Sequence, residues 1–316
     1  MNQKAAYILF CQTEKSIPLF MQNEWLNAVV TEGSQWDVVV VKNEKSQILG
    51  ALTFVFKKKW GLTVLSEPML TPFCGVWIQE MVNLKKYEKY HFEKKITSQL
   101  IEQLPAFHFA HFRFSPAFTD WQPFFWKGFQ QTTRYTYRLN LTETEDVFSE
   151  FNQNTQRNIR KGEKYYGITQ SDEIDTFLAI NQLAFNRQKK QNPIPKGVFQ
   201  KLDNFLKNNQ LRNLYFAINT EGGVEAAIYI VFDKKTAYYL AGGATEQGRK
   251  QGAMHFLMHH AIEETQKRGC EIFDFEGSML QGVAAFFRGF NGELTPYYMV
   301  WKYSHRFYAF LHRLRP

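Results

Sequence analysis

Two carboxylates one residue apart, a basic turn ending in glycine and an arginine set among phenylalanines are the groups in this sequence that could do chemistry. In Phe273-Asp274-Phe275-Glu276-Gly277-Ser278, strand alternation sends Phe273 and Phe275 to one face and Asp274 and Glu276 to the other. Like charges sharing a strand face repel, which raises the pKa of one and suits it to take a proton from an attacking amine. The same carboxylates could instead hold basic residues of a neighbouring helix or cap the turn that follows. Arg288, between Phe287 and Gly289, is expected to be desolvated by its aromatic surroundings, and a desolvated guanidinium stabilises an oxyanion strongly. Phe287 is expected beside it against the substrate. The competing reading of Arg288 is a cation at a helix C-terminus.

Two further segments are suited to phosphate. Gly248-Arg249-Lys250-Gln251-Gly252-Ala253-Met254 precedes a long helix, so Gly252 would let backbone amides approach an anion while Arg249 and Lys250 add charge. Arg157, Arg160 and Lys161 lie on one helix and could hold the phosphate of an acceptor or of a nucleic acid. A solvated helix face is the alternative for both. His255 and His259 stand four apart with no glutamate base between them and are expected to be structural. No Cys/His metal spacing, nucleotide P-loop or G-x-S-x-G turn is present, so no metal and no tightly bound cofactor is expected.

These groups need elements to position them. The 316 residues suit two domains, and the spacing gives an α/β pattern with mixed sheets, divided at 1–143 and 144–316. In the first half, strands are expected over 7–11, 36–42, 48–58, 62–66, 107–114 and 131–141, with helices over 23–30 and 85–104. In the second half, helices over 146–164, 173–187 and 199–207 precede strands over 211–219, 226–232 and 236–241. A helix over 248–268, a strand over 272–276, a helix over 283–290 and a strand over 295–303 complete it. Aromatics make up 16% of the chain, which implies a Phe-rich core. The tail over 301–316 interleaves Arg306, Arg313 and Arg315 with Phe307, Tyr308, Phe310 and Leu311, a pattern that closes a core or touches a membrane surface or nucleic acid. Cys11, Cys74 and Cys270 are too few and too scattered for a disulfide framework. With no apolar run of membrane-spanning length and a net charge of +8, the chain reads as a cytoplasmic protein open to anionic partners and to peripheral membrane contact.

The segments at 158–164, 249–253, 273–278 and 287–290, and less specifically Ser66-Glu67-Pro68 and Cys74-Gly75, resemble those of the Fem-type aminoacyltransferases, which add amino acids to peptidoglycan precursors. The resemblance implies two tandem acetyltransferase-like (GNAT) domains and transfer of an aminoacyl group from charged tRNA to a peptide amine. It implies a UDP-linked or lipid-linked muropeptide as acceptor and places a charge-stabilising cation at Arg288, where the family usually has lysine. Met254 stands where acyl-CoA enzymes carry a small residue, and a large side chain there is expected to crowd a pyrophosphate. The reading is therefore an acyltransferase (EC 2.3 class) that forms an amide. Arg288 supplies the charge, Asp274 or Glu276 handles the amine proton, and Arg157, Arg160, Lys161, Arg249, Lys250 and Gly252 hold phosphate. An acyl-CoA-dependent N-acyltransferase and a non-catalytic RNA- or precursor-binding protein are the alternatives on the same fold.

Overall fold

The structure, a computed structural model, describes residues 2–59, 61–277 and 279–304. The elements run α1 (Gln3–Thr13), α2 (Asn23–Val29), β1 (Ser34–Lys42), β2 (Ile48–Lys59), β3 (Leu62–Ser66), β4 (Trp77–Ile78), α3 (Lys86–Glu102), β5 (Phe109–Arg113), α4 (Gln122–Trp126) and β6 (Gln130–Asn140). Then come α5 (Gln153–Tyr165), β7 (Gly167–Gln170), α6 (Ile174–Arg187), α7 (Lys196–Asn208), β8 (Arg212–Ile218), β9 (Val224–Asp233) and β10 (Thr236–Ala244). The chain continues with α8 (Glu246–Lys250), α9 (Ala253–Lys267), β11 (Ile272–Asp274), α10 (Gln281–Arg288) and β12 (Glu293–Tyr303). Two compact units result. Unit 1 holds the residues up to Arg134 and the strand after Thr295; unit 2 is Tyr135–Thr295.

In unit 1, β1, β2, β3 and β5 lie side by side and β12 joins β5. The run Val38-Val39-Val40-Val41 is buried throughout because both sheet faces are covered, which is why it lacks a polar alternate. Trp36, Val38 and Val40 meet Tyr7, Met21 and Leu26, on the face covered by α1 and α2. Val39, Val41 and Leu52 meet Ile96, Leu100 and Phe124, on the face covered by α3 and α4. Residues 7–11, expected to be a strand, lie within α1. The Asn2 side chain accepts the Ala5 amide at 2.7 Å and starts a helix whose Tyr7 is wholly buried. The short β4, α4 and β7 have no counterpart in the sequence expectations.

In unit 2 the order is β6-β11-β10-β9-β8-β7, with only the β10–β11 pair parallel. One face of β9 places Ile228, Ile230 and Phe232 in a core with Leu257, Met258, Ala261 and Ile262 of α9. On the other face the Tyr229 ring packs 5.4 Å from Phe177 of α6 and 5.2 Å from Phe199 of α7. Each unit repeats one plan: a helix, α3 or α9, carries the chain from one parallel strand to its neighbour, β3 to β5 or β10 to β11. Among the described residues no helix is long and apolar enough to cross a membrane.

Candidate active site

The parallel pair of unit 2 is short. β10 and β11 are in register only from Thr236 with Ile272 to Tyr238 with Asp274, yet β10 runs on to Ala244. Beyond Tyr238 the two strands part, so among the described residues β10 has no strand partner on that edge. An extended ligand can add itself to such an edge, at the carboxyl ends of parallel strands where α/β sheets hold ligands. A bulge at Leu240, between the Tyr239–Ile230 and Ala241–Tyr229 pairs, turns Tyr239 and Gly242 to the same face. A Cβ on Gly242 would overlap the Tyr239 hydroxyl, so this glycine lets the ring lie along the strand.

Asp274 ends β11 at the base of this opening and is buried. Its Oδ1 accepts the Thr136 hydroxyl at 2.5 Å and the Glu276 amide at 2.8 Å, and its Oδ2 lies 3.3 Å from Nε of Arg138. Burial raises its pKa, against the lowering effect of Thr136, Arg138 and the Glu276 amide. The upward shift matches the sequence expectation, but its cause is desolvation and not a neighbouring carboxylate. Asp274 thus ties β6 to β11, its basic partner lying on a strand and not on a neighbouring helix, and it accepts the Glu276 amide at the bend, so its oxygens are committed to these partners.

Glu276 is not on the strand. β11 stops at Asp274, and Glu276 takes φ +56°, followed by Gly277 at +54°. A Cβ on Gly277 would overlap the Tyr135 carbonyl, so close packing on β6 forces the chain through this left-handed pair. A glutamate held there carries some backbone strain. Burial first, and then the charge of Glu276, raise the pKa of the Tyr239 hydroxyl. The expected sharing of one strand face by Asp274 and Glu276 is therefore corrected: the bend separates a buried clamp from a partly exposed acid.

Arg288 closes α10 and is exposed, so the expected desolvation by its aromatic neighbours does not occur. Phe287, expected against substrate, is buried. Its ring packs 5.1 Å from Phe275, 6.0 Å from Tyr239 and 6.3 Å from Tyr137, because it lies on the core side of α10. It anchors the helix while Arg288, one residue on, faces solvent. The next residue, Gly289, accepts the Asn152 amide at 3.1 Å, so the end of α10 meets the start of α5.

The two basic segments, about ninety residues apart in sequence, do come together. Lys161 of α5 donates to the Lys250 carbonyl at 2.8 Å. Arg157, Lys161, Arg249 and Lys250 are all exposed there, with Lys250 also paired to Glu246 at 2.6 Å. Arg160 is turned toward the Phe148 ring, 5.3 Å away. The expected role of Gly252 is corrected. The segment before α9 is the one-turn helix α8, capped by Thr245, and its amides bond within the chain: Gly248 to the Thr245 hydroxyl, Arg249 to the Thr245 carbonyl, Gln251 to Gln247 and Gly252 to Arg249. Gly252 has φ +85°, and a Cβ on it would overlap the Asn158 carbonyl of α5. It is glycine so that α5 can pack on α9. Met254 packs into the core and does not crowd the loop.

His255 stacks among Phe286 and Phe290 at 4.8 and 5.9 Å, and burial pushes its pKa down to about 4; His259 packs on Phe148 and Phe151. Sequence reasoning gave no role to a second concave place, in unit 1. There Gly75–Ile78 and Ala117–Asp120, beyond the ends of β3 and β5, line a cavity of about 240 Å³ with Phe73, Lys94 and Ser115. Close by in sequence, Glu67 holds Arg113 at 2.8 Å and His111 at 2.9 Å. The Ser66-Glu67-Pro68 and Cys74-Gly75 segments were the signals for this region, and Gly75 lines the cavity. The expected involvement of the 301–316 tail lies, from residue 305, outside the described residues.

Residues 149–288 match the model of the acetyltransferase (GNAT) domain. No curated protein matches the chain. Among solved structures, that of FemX is similar at TM-score 0.66 and 12% identity, covering 94% of this chain and 96% of that one. The C-terminal domain of a putative lysylphosphatidylglycerol synthetase from Agrobacterium fabrum is similar at TM-score 0.59 and 13% identity, covering 98% and 94%. A tandem GNAT protein of the clavulanic acid biosynthesis pathway is similar at TM-score 0.52 and 10% identity, covering 92% and 98%. The chain shares the α/β fold of these structures, one of them a tandem GNAT protein, and the match of residues 149–288 to the acetyltransferase (GNAT) domain marks it as an acyltransferase.

Proposed function

We propose that this acyltransferase moves an aminoacyl group from charged tRNA to an amine of a peptidoglycan precursor or another cell-envelope molecule, in the cytoplasm. The observation that carries the choice of donor is the bonding ahead of α9. The amides of Gly248, Arg249, Gln251 and Gly252, which would cradle a pyrophosphate, are bonded within the chain and Gly252 lies against Asn158 of α5, while Arg157, Lys161, Arg249 and Lys250 present an exposed cationic face. Such a face suits a long phosphate backbone better than one buried diphosphate. The resemblance to the Fem-type family and the likeness in fold to FemX support the acceptor class.

In this reading the acceptor amine enters the opening between β10 and β11. Its nitrogen forms a C–N bond to the ester carbonyl of the donor, and the ester C–O bond breaks, releasing the ribose hydroxyl of the tRNA. Glu276 takes the amine proton and passes it on to the leaving oxygen. Arg288 meets the charge that develops on the carbonyl oxygen. Asp274 acts by position, fixing β6, β11 and the bend that carries Glu276. Holding amine and ester together supplies much of the rate in such a reaction.

The match to the acetyltransferase domain favours a second reading, with acyl-CoA as donor and its thiol as leaving group. The deciding experiment incubates the protein with a UDP-linked muropeptide and either labelled aminoacyl-tRNA or labelled acetyl-CoA. Label on the muropeptide from tRNA alone supports the proposal, and label from acetyl-CoA alone replaces it with the second reading. Salt-dependent RNA binding with no transfer from either donor would leave a non-catalytic binding protein.

A further inference from the structure

In unit 2, α6 lies across β10 at the level of the opening. A Cβ on Gly243 would overlap the Ile180 carbonyl and stand 2.9 Å from Cα of Asn181, so helix and strand touch there. Gly243 is beyond Tyr238, on the length of β10 that β11 has left. Phe177 and Asn181, four residues apart, are the buried side chains of α6 and share its sheet-facing side. The Phe177 ring packs 5.5 Å from Phe199 and 5.4 Å from Tyr229, an aromatic seal over the middle of the sheet. Asn181 comes one turn later, past that seal and beside the opening.

Asn181 is 3% exposed, and among the described residues its side-chain amide has no hydrogen-bond partner. By contrast the buried Asp203 bonds Arg212 and Tyr229, and Asp274 bonds Thr136. Burying an amide without a partner costs stability that a leucine of similar size would not cost. The amide is not sealed into the core as the unpartnered Thr265 hydroxyl is; its nitrogen and oxygen stay within reach of water. An unpaired polar group kept at this depth, and still wet, is placed to bond a ligand. A carboxamide both donates and accepts, and another amide answers it with one group of each kind. The free edge of β10 offers the same alternation along its backbone. An extended chain of amides is therefore met on its edge by β10 and on its face by Asn181. An amine with no amide beside it would leave Asn181 unpaired, which penalises its binding.

We propose that Asn181 is a specificity-determining residue of the transfer: it bonds an amide flanking the acceptor amine, and so selects acceptors that carry one. This rests on the transfer reading given above and holds for either donor. The test uses the full chain, a UDP-linked muropeptide as acceptor, and whichever of labelled aminoacyl-tRNA and acetyl-CoA the protein accepts. KM is measured separately for acceptor and donor. Asn181→Leu should raise the acceptor KM about tenfold and leave kcat and the donor KM unchanged, the mark of lost binding common to ground and transition states. Its melting temperature should equal or exceed that of the wild type, which a purely structural role would not allow. Asn181→Ala, which fits where leucine is too large, should show the same split between KM and kcat. An unchanged acceptor KM in a folded variant, or a rise in the donor KM instead, would overturn the assignment of Asn181 and leave the transfer reading standing. A wild-type protein that transfers to the muropeptide from neither donor would remove the transfer reading, and the role of Asn181 with it.

Discussion

Gly162 and Gly252 face each other where α5 crosses the start of α9: a Cβ on Gly162 would stand 2.7 Å from the Gly252 carbonyl oxygen. The contact explains two glycines at once and sets the first expectation. Gly252→Ala adds an overlap with Asn158 to a left-handed backbone and should lower stability by about 2–4 kcal/mol, more than Gly162→Ala. Urea midpoints measure both. A Gly252→Ala protein of native stability would return Gly252 to the role of an anion-binding turn.

The same crossing bears on coenzyme A. At about 100 times its dissociation constant a ligand adds roughly 2.7 kcal/mol, a rise of a few degrees in a protein of this size. With the amides ahead of α9 already bonded, the expected result of a melting scan with saturating coenzyme A is no rise. A rise of that size would show that α8 opens, and acyl-CoA would become the leading donor.

Arg288 is exposed, so its removal should be felt in transfer and not in folding. Arg288→Ala should keep the melting temperature and lower the rate by about 10²–10³-fold, the usual loss for one oxyanion-stabilising group. Arg288→Lys should recover part of it, since charge survives but the fork geometry does not. An Arg288→Ala enzyme with the full rate removes the proposed charge stabilisation.

Asp274 and Glu276 should separate in their effects. Asp274→Ala strands Thr136, Arg138 and the Glu276 amide without their acceptor and should cost about 2–4 kcal/mol of stability. Glu276→Gln should lower transfer about 10²-fold. The pH dependence has a defined sign. The folded pKa of Asp274 is raised from 3.8, so between the two values the folded state holds the proton more tightly. Its contribution to stability therefore falls as pH rises through that window, and Asp274→Asn should remove this slope from unfolding curves.

His255 should produce the opposite slope. Its folded pKa is about 4 against an ordinary 6.5, so the unfolded chain binds the proton first on acidification. Stability from the neutral ring is complete above pH 6.5 and is lost as pH falls toward 4, by at most about 3 kcal/mol. Comparing wild type with His255→Gln at pH 7 and pH 5 isolates this loss. Equal losses in the two proteins would mean that the ring is not buried neutral.

Much of this architecture can be read from residue order. The apolar, β-branched runs in 36–42 and 48–58, the β-branched and aromatic runs of β8 to β10, and the amphipathic spacing of α3 and α9 can each be read locally. The N-terminal segment misleads because an apolar run without alternation fits helix and strand equally, and the Asn2 cap decides it. The site is legible as a set of residues and not as a geometry. Asp274 and Glu276 have strand spacing, but the left-handed bend comes from the packing of Gly277 on β6, over 140 residues earlier, and no local pattern encodes it. Phe287 and Arg288 adjoin in sequence yet face core and solvent. Basic segments as distant as Lys161 and Lys250 are joined only by the α5–α9 crossing.

The chain passes between its two units inside strands, first through β6 and again through β12, whose residues Met299–Tyr303 pair with β5. A ribosome making this protein therefore releases the first unit with one strand still to come. Unit 2, continuous in sequence, can close while the N-terminal sheet waits for its partner to β5, with Ala110 and Phe112 lacking the strand that will lie beside them. The half made first is the half finished last, and in that interval its open edge is the part of the nascent chain most in need of shelter.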